Sequence, residues 1–424
     1  MSAPAALVVA SVSLLLAACG TRAPSASPDA APPAATVDAA HAPPPGPPLF
    51  GPEVRSLRLR RSIAVRFGPD EAAKPIGTIS YDTRVGWKSA SAGPGCAPPL
   101  RWIEIEPRGW ICEKHLEPSP KDPGGVELPR LVPGEIVPGA YGKLASAKST
   151  MVRRVAEVMK GGRLFWKTSE GKLVPASAIR PYTPSPFTGL LLDEPGAIPL
   201  PLAFARHAKT LGASVDVRAL PDATLPPIRT LYPRQVVSVV EEQPEWIRIG
   251  EGAWVARADL RVARVTTAPP TTRPEERWID VDLDQQTLVA YEGAKPVYVT
   301  LVSTGKAKTA TTEGIYRVWL KFAETDMNGS MAGEGDYAVA TVPWTEFFAR
   351  DLALHTAYWH DRFGEPRSHG CVNLSPRDAR WLYFFLAPDV PPGWSMAHGV
   401  FERPGSAIRI RSGCSSTTET TWRG

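Results

Sequence analysis

A cysteine stands in the run Ser368-His369-Gly370-Cys371-Val372-Asn373, and two histidines, His355 and His360, precede it by sixteen and eleven residues. A thiolate is a strong nucleophile, and a nearby imidazole or a cluster of backbone N–H groups favours the charged sulfur. Gly370 lets the chain turn tightly beside the sulfur and leaves room for a carbonyl to approach. These residue types suit covalent attack on a carbonyl carbon, with a histidine as general base and nearby N–H groups receiving the oxyanion. The competing reading is a buried structural thiol, which would need none of these neighbours.

The surrounding segments supply what would hold such a group in place. Downstream, Ser375 suits an N-cap, Pro376 the first helical position, and Asp378 the positive end of a helix dipole, ahead of the apolar run Trp381-Leu382-Tyr383-Phe384-Phe385-Leu386. Cys371 is therefore expected on a strand-to-helix turn. Upstream, Leu352-Ala353-Leu354-His355-Thr356 reads as the end of a strand, which would place His355 on a rigid element.

Together, His355-Thr356-Ala357-Tyr358-Trp359-His360-Asp361, Phe363-Gly364-Glu365-Pro366 and Ser368 to Asn373 resemble the catalytic domain of the L,D-transpeptidases (YkuD type). The likeness extends upstream through Trp278-Ile279-Asp280-Val281-Asp282, Gln286-Thr287-Leu288, Ser303-Thr304-Gly305, Thr312-Glu313-Gly314-Ile315-Tyr316 and Val342-Pro343-Trp344, so that it covers residues 276–412. It implies a mainly β chain: a sandwich-like catalytic domain with a short helix after the cysteine motif, preceded by SH3-like β-barrel domains. It also implies a reaction. Cys371 attacks the third residue of a peptidoglycan tetrapeptide stem, D-alanine leaves, and an amine of a neighbouring stem resolves the thioester into a 3→3 cross-link. His355 becomes the general acid/base by its spacing, with its tautomer fixed near Thr356, while His360 joins Tyr358, Trp359 and Asn373 as a substrate-side or lid residue. Ser368, His369 and Gly370 shape the turn, and N–H groups around His369, Gly370 and Cys371 receive the oxyanion. Asn373 and Thr356 depart from many family members, which carry Arg and Gly there. Resolution of the thioester by water, giving an L,D-carboxypeptidase or amidase, is the alternative; a catalytically silent wall-binding scaffold is another.

The remainder of the chain sets the location. Within residues 1–18, read as a signal peptide, Ala5 to Ala18 is an apolar run too short to span a bilayer, ending in Leu16-Ala17-Ala18-Cys19-Gly20. This resembles a lipoprotein signal in which Cys19 carries the lipid, with Gly20 directing the protein to the periplasmic face of the outer membrane; a plain signal peptide is the simpler alternative. An Ala/Pro-rich tether, residues 19–48, would extend over roughly 90 Å at most. Trp102-Ile103-Glu104-Ile105, Trp110 and Leu116 recur as Trp246-Ile247-Arg248-Ile249, Trp254 and Leu260, each 144 residues later. The repeat marks two domains that resemble small SH3-like barrels, 49–120 and 201–265, beginning with the runs Ser62–Pro69 and Ser214–Arg218. Their role is either wall binding or spacing. Residues 121–200 connect them with no assigned fold, and Thr150 to Val158 fits a helix or a strand.

Cys96 and Cys112 flank the first hairpin strand of the first domain and are expected to pair as a disulfide in an oxidising compartment. Cys414, in the tail 413–424, is expected to be exposed, unpaired or paired transiently, and His398 reads as an ordinary surface or loop histidine. No His/Cys/carboxylate spacing suggests a metal, and no cofactor is implied. A net charge of +5 over 424 residues, without a basic cluster beyond Arg58-Leu59-Arg60-Arg61, argues against nucleic acid. The expected partners are peptidoglycan stems and, through the lipid, a membrane, with the protein a monomer.

Overall fold

Short runs rich in β-branched and aromatic residues, cut by proline and glycine, favour strands. The computed structural model describes residues 48–145, 150–206, 214–331 and 335–413, and it is mainly β, with one α-helix, Pro376–Phe385, among those residues. Cys19, Cys414 and nearly all of the signal and tether lie outside the described residues.

The region expected to be catalytic is built from two sheets. The first runs in the order Leu190–Leu191, Lys295–Leu301, Thr287–Glu292, Arg277–Asp282, Ala407–Arg411, Gly314–Arg317. Arg277–Asp282 and Ala407–Arg411 lie parallel, with Ile279 opposite Ile408. The buried Asp280 takes Arg409 at 2.6 Å and Arg411 at 2.8 Å, the pairing that a carboxylate removed from water requires. The second sheet contains the long hairpin Leu320–Met331 and Gly335–Phe347, followed by Ala353–Thr356 and Val372–Leu374. Ile279 and Leu288 of one sheet meet Trp344, Leu354 and Val372 of the other, and Leu382 of the helix closes this core.

The helix begins as its sequence suggests: the Ser375 hydroxyl accepts the Asp378 N–H at 3.2 Å and Pro376 occupies the first turn. Asp378 does more than face the dipole. It is fully buried, accepting the Gly189 N–H at 2.8 Å and the Tyr298 hydroxyl at 2.6 Å. At the other end the Lys321 ammonium, also fully buried, donates to the Tyr383 carbonyl at 2.7 Å and to that of Leu386, and pairs with Glu346 at 3.0 Å. A cation at the C-terminal carbonyls complements the helix dipole.

Three modules of one plan surround this core. In 56–119, 140–181 and 202–263 a hairpin leads through a three-residue 3-10 turn into a last strand that pairs antiparallel with the module's first strand. The turns are Glu113–His115, Ala176–Ala178 and Arg257–Asp259. The connecting region is thus a third copy, and Thr150–Lys160 is a strand. Leu173-Val174 and Ile179 stand where Trp254-Val255 and Leu260 stand, each 81 residues earlier. The opening strands Ser56–Leu59 and Leu202–Ala205 precede the runs from which the sequence would start the modules, because the closing strand needs them as its partner. In the first module a disulfide joins Cys96 to Cys112, both buried.

Each module shares backbone or core with the catalytic region. Pro75–Ile79 of the first pairs with Trp394–His398, which in turn borders the hairpin strand Leu320–Met331. Thr150–Lys160 of the second runs parallel to Gly335–Phe347, with Thr150 opposite Ala338 and Met151 opposite Val339. In the third, the Arg261 guanidinium donates to the Gly364 carbonyl at 2.9 Å, and Leu202 and Phe204 enter the core around Trp278 and Phe363.

Candidate active site

Cys371 immediately precedes the strand Val372–Leu374, which lies parallel to Ala353–Thr356 with Leu354 opposite Val372 and His355 opposite Asn373. Because strand side chains alternate, Leu354, Val372 and Leu374 enter the core while Ala353, His355, Cys371 and Asn373 share the other face. Cys371 and His355 are diagonal neighbours across the two strands, and Asn373 lies directly beside His355.

His355 is 3 % exposed, and its Nδ1 lies 3.0 Å from the Thr356 carbonyl. A carbonyl only accepts, so Nδ1 carries the proton and Nε2 presents a lone pair. Burial depresses the His355 pKa to about 4. Cys371 is half-buried and is the free cysteine among the described residues. Its thiol faces the Asp351 carbonyl at 3.8 Å, and burial pushes its pKa above the ordinary thiol value against the opposing Ala353 N–H. Near neutral pH both groups are therefore uncharged. The neighbours were expected to favour the thiolate, but desolvation outweighs them. Such a pair suits proton transfer from sulfur to Nε2 at the moment of attack, not a standing ion pair.

The turn before the sulfur is braced from two sides. The Ser368 hydroxyl donates to the Cys371 carbonyl and accepts the Gly370 N–H at 3.1 Å. Gly370 has φ +126°, where a Cβ would meet Leu352 at 2.9 Å. The Thr311 hydroxyl donates to the Gly370 carbonyl at 2.7 Å, and the Lys306 N–H and Thr309 hydroxyl reach the Ser368 carbonyl at 3.0 and 3.3 Å. Gly370 was expected to offer its N–H to an oxyanion; that N–H is held by Ser368, so the residue serves the turn. His369 is exposed at the same turn.

His360 lies on the other side of Asn373. Its Nδ1 accepts the Arg362 backbone N–H at 3.2 Å, and its Nε2 lies 3.1 Å from the Asn373 side-chain amide. Burial first, then the Arg367 charge, lowers its pKa to about 3, so the ring is neutral and holds one proton. Since a backbone N–H can only donate, that proton is on Nε2; it faces the Asn373 amide nitrogen while the amide oxygen lacks a partner, so a half-turn of the amide would let the oxygen accept it. With both nitrogens engaged, His360 orients Asn373 and has no lone pair left for the thiol.

Other expected site residues take different places. Tyr358 is fully buried, with its hydroxyl donating to the Ala340 carbonyl at 3.0 Å, so it forms wall and does not touch substrate. Thr356 is likewise buried and contributes the carbonyl that holds His355. Trp359 is half-buried, its ring 5.8 Å from that of His355. Sequence reasoning missed Thr309 and Thr311, whose bonds to the turn each span 59 residues and leave no local signal.

Residues 276–395 match the family model of the L,D-transpeptidase (YkuD) catalytic domain. A curated relative, the putative L,D-transpeptidase YciB of Bacillus subtilis, is 28% identical over 128 residues, which are 27% of this chain and 63% of that protein. The chain thus spans less than two thirds of that relative's length. Among solved structures, an Enterococcus faecium L,D-transpeptidase C442S mutant aligns at 22% identity and TM-score 0.26, covering 35% of this chain and 55% of the other. An L,D-transpeptidase from Mycobacterium smegmatis aligns at 19% and 0.26, covering 55% and 89%.

Proposed function

We propose that this protein is a peptidoglycan L,D-transpeptidase that works through a Cys371 thioester. The observation that carries the reading is the parallel register that sets the free Cys371 diagonal to His355, whose Nδ1 is tied to the Thr356 carbonyl and whose Nε2 is a free lone pair. The sulfur attacks the carbonyl carbon of the third stem residue while its proton passes to Nε2 of His355. The Cys371 N–H, beside the bond being formed, receives the oxyanion, the Gly370 N–H being held by Ser368. Collapse breaks the peptide bond, the departing D-alanine nitrogen takes the proton from His355, and the acyl group stays on sulfur. The amine of a second stem then attacks the thioester, giving up a proton to His355, and the thiol is regenerated with a 3→3 bond formed. Oriented by His360, Asn373 holds the face beside His355 on which the stem lies. Under the same reading the enzyme sits at the periplasmic face of the outer membrane, held by a lipid on Cys19 and by the 19–48 tether, with its three modules spacing it from the membrane or contacting the wall.

The test is incubation of the purified protein with tetrapeptide muropeptides, with products resolved by mass. Dimers carrying a third-to-third bond are expected, and Cys371→Ser should abolish them. Shortened monomers would identify water as the acceptor, and unchanged muropeptides would make the protein a scaffold.

A further inference from the structure

The second module, 140–181, lies outside the segment that matches the catalytic family, yet it is built into the wall behind His355. Tyr141, 1 % exposed, stacks on Tyr358 with ring centroids 3.9 Å apart. Tyr358 meets Trp359 edge-on at 4.9 Å, and Trp359 packs against the His355 ring. The Tyr141 hydroxyl also donates to the Thr341 carbonyl at 3.1 Å. Thr341 is a non-glycine residue at φ +48°, a conformation that persists only where neighbours enforce it. Its N–H goes to the Asp326 carboxylate at 2.6 Å, so the bend in the hairpin is held from within and, through Tyr141, from the module.

Two further links join the same elements. The module's Met151 pairs in register with Val339 of the hairpin, and Arg153 makes an ion pair with Glu324 at 2.5 Å. Tyr141 of the module and Val137, just before it, share one buried cluster with Val339, Val342 and Tyr358. Removing the module would leave that apolar face of the hairpin and Tyr358 in water.

We propose that Tyr141 is a positioning residue for the reaction: through Tyr358 and Trp359 it fixes the His355 ring, and through Thr341 it fixes the bent hairpin beside it. The second module is then a working part of the active site and not a spacer. The inference rests on His355 acting as the base for Cys371, as in the function proposed above, but it does not depend on the identity of the substrate.

The test uses the full chain and the rate at which iodoacetamide alkylates Cys371, followed by peptide mass, so that it reads thiol activation without any muropeptide. At about pH 6, Tyr141→Ala should slow alkylation roughly tenfold, a fraction of the roughly hundredfold or more that a well-placed general base contributes. Tyr141→Phe, which keeps the ring stack, should restore most of the rate. In a His355→Gln background Tyr141→Ala should have no further effect, because its route runs through His355. Backbone hydrogen exchange over 338–347 should quicken in Tyr141→Ala and not in His355→Gln. An unchanged rate, or an equal slowing with and without His355, overturns the proposal. Should Tyr141→Ala not fold, Arg153→Glu should quicken the same exchange and slow alkylation, and adding Glu324→Arg should reverse both; failure of the swap to restore them also overturns it. Failure of the muropeptide assay alone would sink the substrate assignment and leave this inference standing.

Discussion

His355 sits in the sheet with one nitrogen bonded and the other bare, and its chemistry follows from being uncharged. Burial holds its pKa to about 4 and raises that of Cys371, so the base stays available far into acid while the thiolate stays scarce. The base-assisted reaction of Cys371 should therefore keep its rate from about pH 8 down to about pH 5, then fall as His355 takes up a proton around pH 4. Iodoacetamide alkylation across that range measures it. The acid limb should vanish in His355→Gln, and a limb centred near the ordinary histidine value would contradict the neutral-pair reading. A candidate nucleophile and its turn were legible in residue type and spacing, and His355 was preferred to His360 through the resemblance to the L,D-transpeptidases. The charge state was not legible, because desolvation depends on which strands cover the two groups.

The helix Pro376–Phe385 shows the same division among elements. Its start was written locally in Ser375 and Pro376, and the structure uses both. Its end was not, because the cap is Lys321, more than fifty residues upstream, with Glu346 beside it and both out of water. Lys321→Met should be costly, about 3–5 kcal/mol in urea unfolding, because Glu346 is left as an unpaired buried charge. Replacing both, as Lys321→Met with Glu346→Leu, should recover much of that loss; a double variant no more stable than the single one would refute the account. The hairpin 320–347 is a further case. Its bend at Thr341 is held locally by the Asp326 carboxylate and also by the Tyr141 hydroxyl, two hundred residues earlier.

Across the whole chain, the three modules and the catalytic sheets join through shared strands and shared cores. One sheet runs from the second module through the hairpin and Trp394–His398 into the first. The sequence disclosed two copies of the module because their tryptophans recur at a fixed spacing. The third was hidden because Leu173 and Ile179 replace Trp and Leu at the anchor positions, and short apolar motifs without tryptophan resemble any strand. Stability should also answer to pH at this scale. In the unfolded chain His355 and His360 titrate near 6.5, whereas folding lowers them to about 4 and about 3. Between these values the unfolded chain binds more protons, so this contribution is complete above pH 6.5 and is lost as the pH falls through the window. The melting temperature should drop between about pH 7 and about pH 4, and a flat profile would argue against neutral, desolvated rings at His355 and His360.

By itself the sequence determined the candidate cysteine and histidines, the turn around the cysteine, the helix start and the mainly β character, because each is encoded within a few residues or in a recurring pattern. Only the tertiary structure decided the desolvation of Cys371 and His355, the contact of His360 with Asn373, the burial of Tyr358, and the packing of the second module behind His355. Those features depend on desolvation and on contacts between residues far apart in the chain, which no local pattern records.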